Sequence, residues 1–379
     1  MSLADRWSQI LSVLRADGRF RTLIAGTGVD LSSNDYLGYA AEQPRGQAAG
    51  AAPASDELPR SGTASRLLRG QHEIWERVEF ALAAWHGAEA CLVMNSGYVA
   101  NEGLLSTIIQ EGDWVASDQC NHASIIDGLR LSRAERFVYR HAELNHLEDG
   151  IRAARRGARR ELFIVTESLF GMEGDVAPLA ELANLAERYA AHVIVDEAHA
   201  TGCFGESGAG LIDQLGLRKR VLATVHTGGK ALAVNGAYIC GSPALRDLVV
   251  NRCRHFMFST ALPPVVGAWW LEAIERVQPD SPRRDRLHER AKFLRSELRR
   301  RTCAARGTAY IVPVVVGDDG RCAEVAAALQ ATGWDIRAIR SPTVPAGTAR
   351  LRISIHANHT TDELAAAAAA VAKALEGTR

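Results

Sequence analysis

The sequence predicts an α/β fold: one large, mostly parallel β-sheet covered by helices, followed by a smaller α+β C-terminal domain. Three observations predict it. From about residue 72, short uninterrupted apolar runs alternate with segments of helical periodicity, the pattern left by strands buried on both faces of a parallel sheet. Past about residue 265 the texture changes to a long basic amphipathic segment and two β-rich runs. A chain of 379 residues with 47% hydrophobic content suffices for one large core and a smaller one.

The elements follow in order. Leu3, Trp7, Ile10, Leu11 and Leu14 recur at helical spacing, so residues 3–16 read as a helix. Residues 40–60, rich in Ala, Gly, Pro and Gln, read as a loop. Strands of the large sheet are read at 90–94, 114–116, 136–139, 162–166, 192–196, 221–225 and 236–240. Helices lie between several of them, such as 178–191, with Leu179, Leu182, Leu185 and Ala186 on one face. Residues 284–302 form a basic amphipathic helix. Glu289 and Glu297 interrupt its charge, so it reads as a solvated face rather than a nucleic-acid patch. A strand at 310–316, a helix at 321–332, a strand at 349–355 and an Ala-rich helix at 361–376 complete the chain. The expected division is 1–45 (N-terminal helix and arm), 46–269 (large α/β domain) and 270–379 (small α+β domain).

A formal net charge of zero argues against a nucleic-acid binder. No run of about 18 uncharged apolar residues suggests a membrane span, and the N-terminus does not read as a signal peptide. Seven cysteines, none in a C-x-x-C pair, fit reduced thiols in the cytoplasm rather than disulfides or a zinc site, and no metal is expected.

The chemistry is concentrated at strand ends, where open α/β sheets bind ligands. Asp196 ends an apolar run and begins Asp-Glu-Ala-His199. About thirty residues later Lys230 sits in the small-residue stretch His226-Thr227-Gly-Gly-Lys230. An amine that can form a Schiff base with an aldehyde, and a carboxylate that can hold a proton on a pyridine nitrogen, are what pyridoxal phosphate needs. The letters Asp-Glu-Ala-His also mark certain helicases. That reading needs a G-x-x-x-x-G-K-[ST] loop, and Ala231 follows the only Gly-Lys. The turn Asn95-Ser96-Gly97-Tyr98 lies between an apolar run and a helix, so its free N–H groups suit a phosphate. Thr227 can add a hydroxyl there. His122 follows a short strand and could lie over an aromatic ring or cap the next helix. Ser168 ends another strand beside a glycine-containing loop.

In their joint order these motifs resemble the α-oxoamine synthases, a family of pyridoxal-phosphate transferases of fold type I. The resemblance runs from Ser33-Asn-Asp-Tyr-Leu-Gly38 to the arginine-containing segment ending at Arg352. It takes in Ser65-Arg-Leu-Leu-Arg-Gly70, Asn121-His-Ala-Ser-Ile-Ile-Asp-Gly128 and Phe258-Ser-Thr-Ala-Leu-Pro-Pro264. It implies that Lys230 is the Schiff-base lysine and acid/base at the amino acid's Cα, and that Asp196 pairs with the ring nitrogen. By the same resemblance His199 and Ser168 lie near the phenolic oxygen, His122 stacks on the ring, and Ser96, Gly97, Tyr98 and Thr227 hold the phosphate. Ser259 and Thr260 would reach the phosphate of the other subunit of a homodimer. Asn34 and Arg352 would grip the substrate carboxylate, although Arg350 and Arg352 alternate along a strand and also read as surface charge. Ala64-Ser65-Arg66 and the segment 342–352 resemble the biotin-pathway branch, which joins L-alanine to a pimeloyl thioester carried on coenzyme A or acyl carrier protein. The alternatives are branches joining glycine or serine to other acyl thioesters. Trp75 and His226 depart from the residues usual in the family.

Overall fold

Seven strands form the main sheet of the computed structural model, which describes residues 1–42, 57–156 and 160–378. In chain order they are β1 (Ala90–Met94), β2 (Trp114–Asp118), β3 (Glu135–Tyr139), β4 (Leu162–Glu167), β5 (His192–Asp196), β6 (Ala223–Thr227) and β7 (Ala237–Gly241). Their spatial order is β1-β7-β6-β5-β4-β2-β3, parallel throughout except for β7, which runs antiparallel to both neighbours. Every residue of β2 and β4 is buried, which is why these strands read as unbroken apolar runs. The sixth strand starts and ends two residues later than expected, because Val221 and Leu222 precede the ladder and His226 and Thr227 complete it. Most of the expected loop at 40–60 lies outside the described residues.

Glycine lets two helices of this unit approach closely. Gly97–Ile108 packs on Ala123–Ser132, and a methyl group at Gly128 would sit 2.9 Å from the Glu102 Cα and 3.1 Å from the Asn101 carbonyl. The contact sets Asn101 beside the start of the second helix.

The chain divides into two compact units, and the division differs from the expected one. The larger comprises Leu37–Phe170 and Val176–Arg284. The smaller comprises Met1–Tyr36, Gly171–Asp175 and Asp285–Arg379. The boundary thus falls at 284/285, not 269/270, and the N-terminal arm belongs with the C-terminal residues. Backbone pairing explains this: Val29–Asp30 pairs in parallel with Trp334–Asp335, Ser354 N–H donates to the Leu31 carbonyl at 2.8 Å, and Ala357 N–H to that of Tyr36 at 2.8 Å. Residues 171–175 join because the Gly174 carbonyl accepts the N–H groups of Thr308 and Ala309. This unit carries a three-stranded antiparallel sheet ordered Arg337–Ile339, Ala349–Ser354, Ile311–Gly317, with the helices Asp319–Ala331 and Thr361–Gly377. The N-terminal helix Leu3–Ala16 is closed by a Ser2–Asp5 capping box and buries none of its residues within the chain. Among the described residues no helix is long and apolar enough to cross a membrane.

Candidate active site

The ends of β4, β5 and β6 deliver the polar residues of the larger unit. Asp196 is the last residue of β5 and is buried. Its Oδ1 accepts the Ala198 N–H at 2.7 Å, and its Oδ2 accepts the Asn101 side-chain amide at 2.6 Å. The turn after β5 brings His199 round to the lysine loop, where His199 Nε2 lies 2.8 Å from Lys230 Nζ. That loop is shaped by close packing. A methyl group at Gly228 would lie 2.4 Å from the Val234 carbonyl and 2.6 Å from the Trp270 ring, and the Trp270 indole donates to the Asn235 carbonyl at 3.0 Å.

The Ser96–Tyr98 turn and Thr227 come together. Ser96 caps the helix Gly97–Ile108, whose first turn contains no acid, so its free N–H groups face no competing negative charge from that turn. A methyl group at Gly97 would stand 3.6 Å from the Thr227 Cβ. The Tyr98 hydroxyl is engaged by Asp127, and its ring lies edge-on to His122, 6.0 Å between centroids.

His122 does both things that its position allows. Its Nδ1 caps the helix Ala123–Ser132 by accepting the Ser124 N–H at 3.2 Å, while the residue stays exposed to solvent. Lost hydration and the Lys230 charge hold its pKa below the usual histidine value, against the opposing pull of Asp196. The Ser168 hydroxyl is fully buried beside the Glu197 carboxyl, whose charged form it favours against the burial that raises that pKa. Ser259 is half-buried and Thr260 exposed, on a segment fixed to the turn by the Asn95 amide, which donates to the Thr260 carbonyl at 2.8 Å.

Asn34 and Arg352 meet in the smaller unit. The surface-charge reading of the strand arginines is wrong: Arg350 and Arg352 are 4% and 6% exposed. Arg350 pairs with Glu173 at 2.5 Å. Arg352 has only neutral acceptors among the described residues: the Gly171 carbonyl (2.6 Å), Ser354 Oγ (2.7 Å), Asn34 Oδ1 (2.9 Å) and the Tyr36 hydroxyl (3.2 Å). A buried guanidinium with no counter-charge is a receptor for an anion.

Four residues beside these carried no assignment from sequence. Asn101 holds Asp196, and Glu167 accepts the His122 N–H at 2.7 Å. Glu197 accepts the N–H groups of Leu211 and Ile212, and burial pushes its pKa up to about 7. His226 is buried, bonded to Thr201 and Thr224 at 2.7 Å each and stacked on Tyr238. The available signal for Asn101 was its spacing: four residues after Gly97, it faces inward on the same helix.

Comparison with known proteins gives the family. The chain matches the aminotransferase class I and II family over residues 27–371. It is 45% identical over 348 residues to an 8-amino-7-oxononanoate synthase of Anaeromyxobacter dehalogenans, covering 92% of this chain and 86% of that one. It is 41% identical over 373 residues to that of Chlorobaculum parvum, covering 94% and 95%. Among solved structures it superposes on a serine palmitoyltransferase from S. paucimobilis with bound PLP (TM-score 0.89, 26% identity, 100% and 99% covered). It also superposes on an 8-amino-7-oxononanoate synthase from Francisella tularensis (TM-score 0.77, 25% identity, 92% and 98% covered). The chain therefore belongs to the aminotransferase class I and II family and, within it, to the α-oxoamine synthases of fold type I.

Proposed function

We propose that this enzyme condenses L-alanine with a pimeloyl thioester, with loss of CO2, to give 8-amino-7-oxononanoate and free thiol in biotin biosynthesis. The cofactor is pyridoxal 5'-phosphate, which when bound supplies an aldehyde for covalent attachment and a ring that accepts electrons from the substrate's Cα. The carrying observation is the juxtaposition of the Lys230 amine with His199, three residues past Thr227 and one strand from Asp196.

The chain's own groups then have defined tasks. Lys230 would hold the coenzyme through its aldehyde, and its amine would move the proton at Cα. Asp196, placed by Ala198 and Asn101, keeps a proton on the ring nitrogen. The Ser96–Gly97–Tyr98 turn and Thr227 bind the phosphate through N–H groups and a hydroxyl. His199 and Ser168 would lie on the side of the phenolic oxygen, and His122 would cover the ring. Arg352 and Asn34 take the alanine carboxylate, the counter-charge that the buried guanidinium lacks. The enzyme works as a homodimer in the cytoplasm, with Ser259 and Thr260 of one subunit reaching the phosphate held by the other. The 69% exposure of the neighbouring Phe258 supports that placement.

The test is direct. Purified enzyme is mixed with alanine, glycine or serine and with pimeloyl thioester on coenzyme A or acyl carrier protein. Thiol release and CO2 from carboxyl-labelled amino acid are followed. Release with alanine and a pimeloyl thioester is expected; its absence on both carriers overturns the reading. Borohydride reduction should fix the coenzyme to the peptide containing Lys230 and to no other.

A further inference from the structure

We infer that Asn101 is a positioning residue that fixes the protonation of two groups at once: it holds Asp196 as the anion and, through Ser124, holds His122 neutral with its proton on Nε2. The inference rests on the reading of Asp196 and His122 as the ring-nitrogen partner and the ring-stacking residue. It assigns a role to a side chain that touches neither the coenzyme nor the substrate in that reading.

Asn101 is 4% exposed, so its amide must find its partners inside the protein. Its Nδ2 lies 2.6 Å from Asp196 Oδ2 and 3.0 Å from Ser124 Oγ. A primary amide nitrogen has two hydrogens and both are spent here, one on each oxygen. Asp196 then receives donors on both oxygens, since the Ala198 N–H takes the other. A carboxyl accepting on both oxygens is stabilised in its ionised form.

Ser124 has one hydroxyl hydrogen. Having accepted from Asn101, it can donate only onward, and His122 Nδ1 is 2.8 Å away. The Ser124 backbone N–H reaches the same nitrogen at 3.2 Å. Two donors converge on Nδ1, so Nδ1 must carry the lone pair and the ring proton must sit on Nε2. A protonated Nδ1 would face the Ser124 N–H with like polarity. The run Asp196–Asn101–Ser124–His122 therefore has one self-consistent direction, and Asn101 is the only member donating both ways. A neutral ring is the form of His122 that can lie over a cationic pyridine ring without charge repulsion.

The test uses the full-length protein with 15N-labelled histidine, and His122→Gln identifies the resonance. Long-range proton–nitrogen correlation near neutral pH, on the cofactor-free protein, should show a bare Nδ1 and a protonated Nε2 at His122. A proton on Nδ1, or on both nitrogens, overturns the inference. Asn101→Ala should weaken coenzyme binding roughly tenfold, the worth of one hydrogen bond to a charged group. It should also move the pH titration of the bound coenzyme's visible absorbance. Ser124→Ala should leave coenzyme affinity within about twofold and, because the backbone N–H at position 124 still donates to Nδ1, should shift the Nδ1 resonance while the proton stays on Nε2. Asn101→Asp keeps the shape but replaces donors with acceptors, and should weaken binding more than Asn101→Ala. It also serves if the alanine variant does not fold. Wild-type affinity and titration in both Asn101 variants overturn the inference. A wild-type protein that takes up no coenzyme instead overturns the functional reading, and the tautomer measurement still decides the polarity of the network.

Discussion

Replacing Arg352 tests the most distant assignment in the chain. The structure sets the size of the effect. Nε donates to Gly171, one Nη1 hydrogen to Ser354, and Nη2 to Asn34 and Tyr36, which leaves one Nη1 hydrogen without a partner among the described residues. An incoming carboxylate gains that charge-assisted bond, about 1.5–3 kcal/mol, which corresponds to about 10- to 140-fold at 1.4 kcal/mol per factor of ten. Arg352→Met should therefore raise the KM for alanine by that factor while leaving the KM for the acyl thioester within about threefold. Arg352→Lys keeps the charge but loses the planar fork and should fall between. The assay is steady-state thiol release with each substrate varied in turn. Both variants lose donors to Asn34, Tyr36 and Ser354, so rates are taken well below the melting temperature of each. A lysine variant with an unchanged KM for alanine, or a methionine variant that raises both KM values equally, would refute the reasoning.

Four further outcomes follow from the same structure. Gly128→Ala puts a methyl group 2.9 Å from the Glu102 Cα, so thermal melts should show a loss of about 1–3 kcal/mol, with weakened coenzyme binding as Asn101 is displaced. His226→Phe keeps the stack on Tyr238 but removes the imidazole partner of Thr224, while Thr201 still donates to the Glu197 carbonyl, and should cost about 1–3 kcal/mol in denaturant titration; a neutral result would mean that water replaces the imidazole. Burial holds His86 down to about 3 and His359 down to about 4, below an unfolded value of about 6.5, so their contribution is complete above about pH 6.5 and is lost as pH falls toward 4 and then 3. Glu197, raised to about 7, acts in the other direction: its contribution is present below about pH 4.5 and is lost as pH rises through 7. The melting temperature of Glu197→Gln relative to wild type should therefore increase between pH 5 and 7.5; a difference independent of pH would show that the carboxyl is ionised throughout.

What the sequence made legible was whatever lies contiguous along the chain. β4 and β5 read correctly because burial on both faces leaves unbroken apolar runs, and the lysine loop read as chemistry because Thr227, Gly228 and Lys230 fall within one turn of backbone. The N-terminal arm did not read as part of the C-terminal unit, because Val29–Asp30 pairs with Trp334–Asp335 and nothing local encodes a two-residue ladder across that separation. Arg352 was ambiguous for a related reason. Alternation on a strand tells which residues share a face but not whether that face is covered, and here both arginines are buried. Asn101 offered only its spacing from Gly97, since an amide on the inner face of a small-residue helix shows no chemistry until a carboxylate from a strand meets it.

The adjacent acids Asp196 and Glu197 show how a pair of letters divides into two functions. Successive residues along an extended backbone turn to opposite sides, so the two carboxyls meet different donors. Asp196 is met by a side-chain amide and the Ala198 N–H, on the side that carries Ser124 and His122. Glu197 turns to the segment beginning at Gly210, where it takes the Leu211 and Ile212 N–H groups. Gly210 has a φ of +110°, a backbone conformation that favours glycine. One acid is held by a side-chain amide and a single backbone N–H, while the other clamps the loop that follows through two backbone N–H groups. Exchanging the two residues would put the longer side chain where Asn101 sets the reach and the shorter one where two N–H groups wait, so Asp196→Glu combined with Glu197→Asp should fail at both tasks although composition and charge are unchanged.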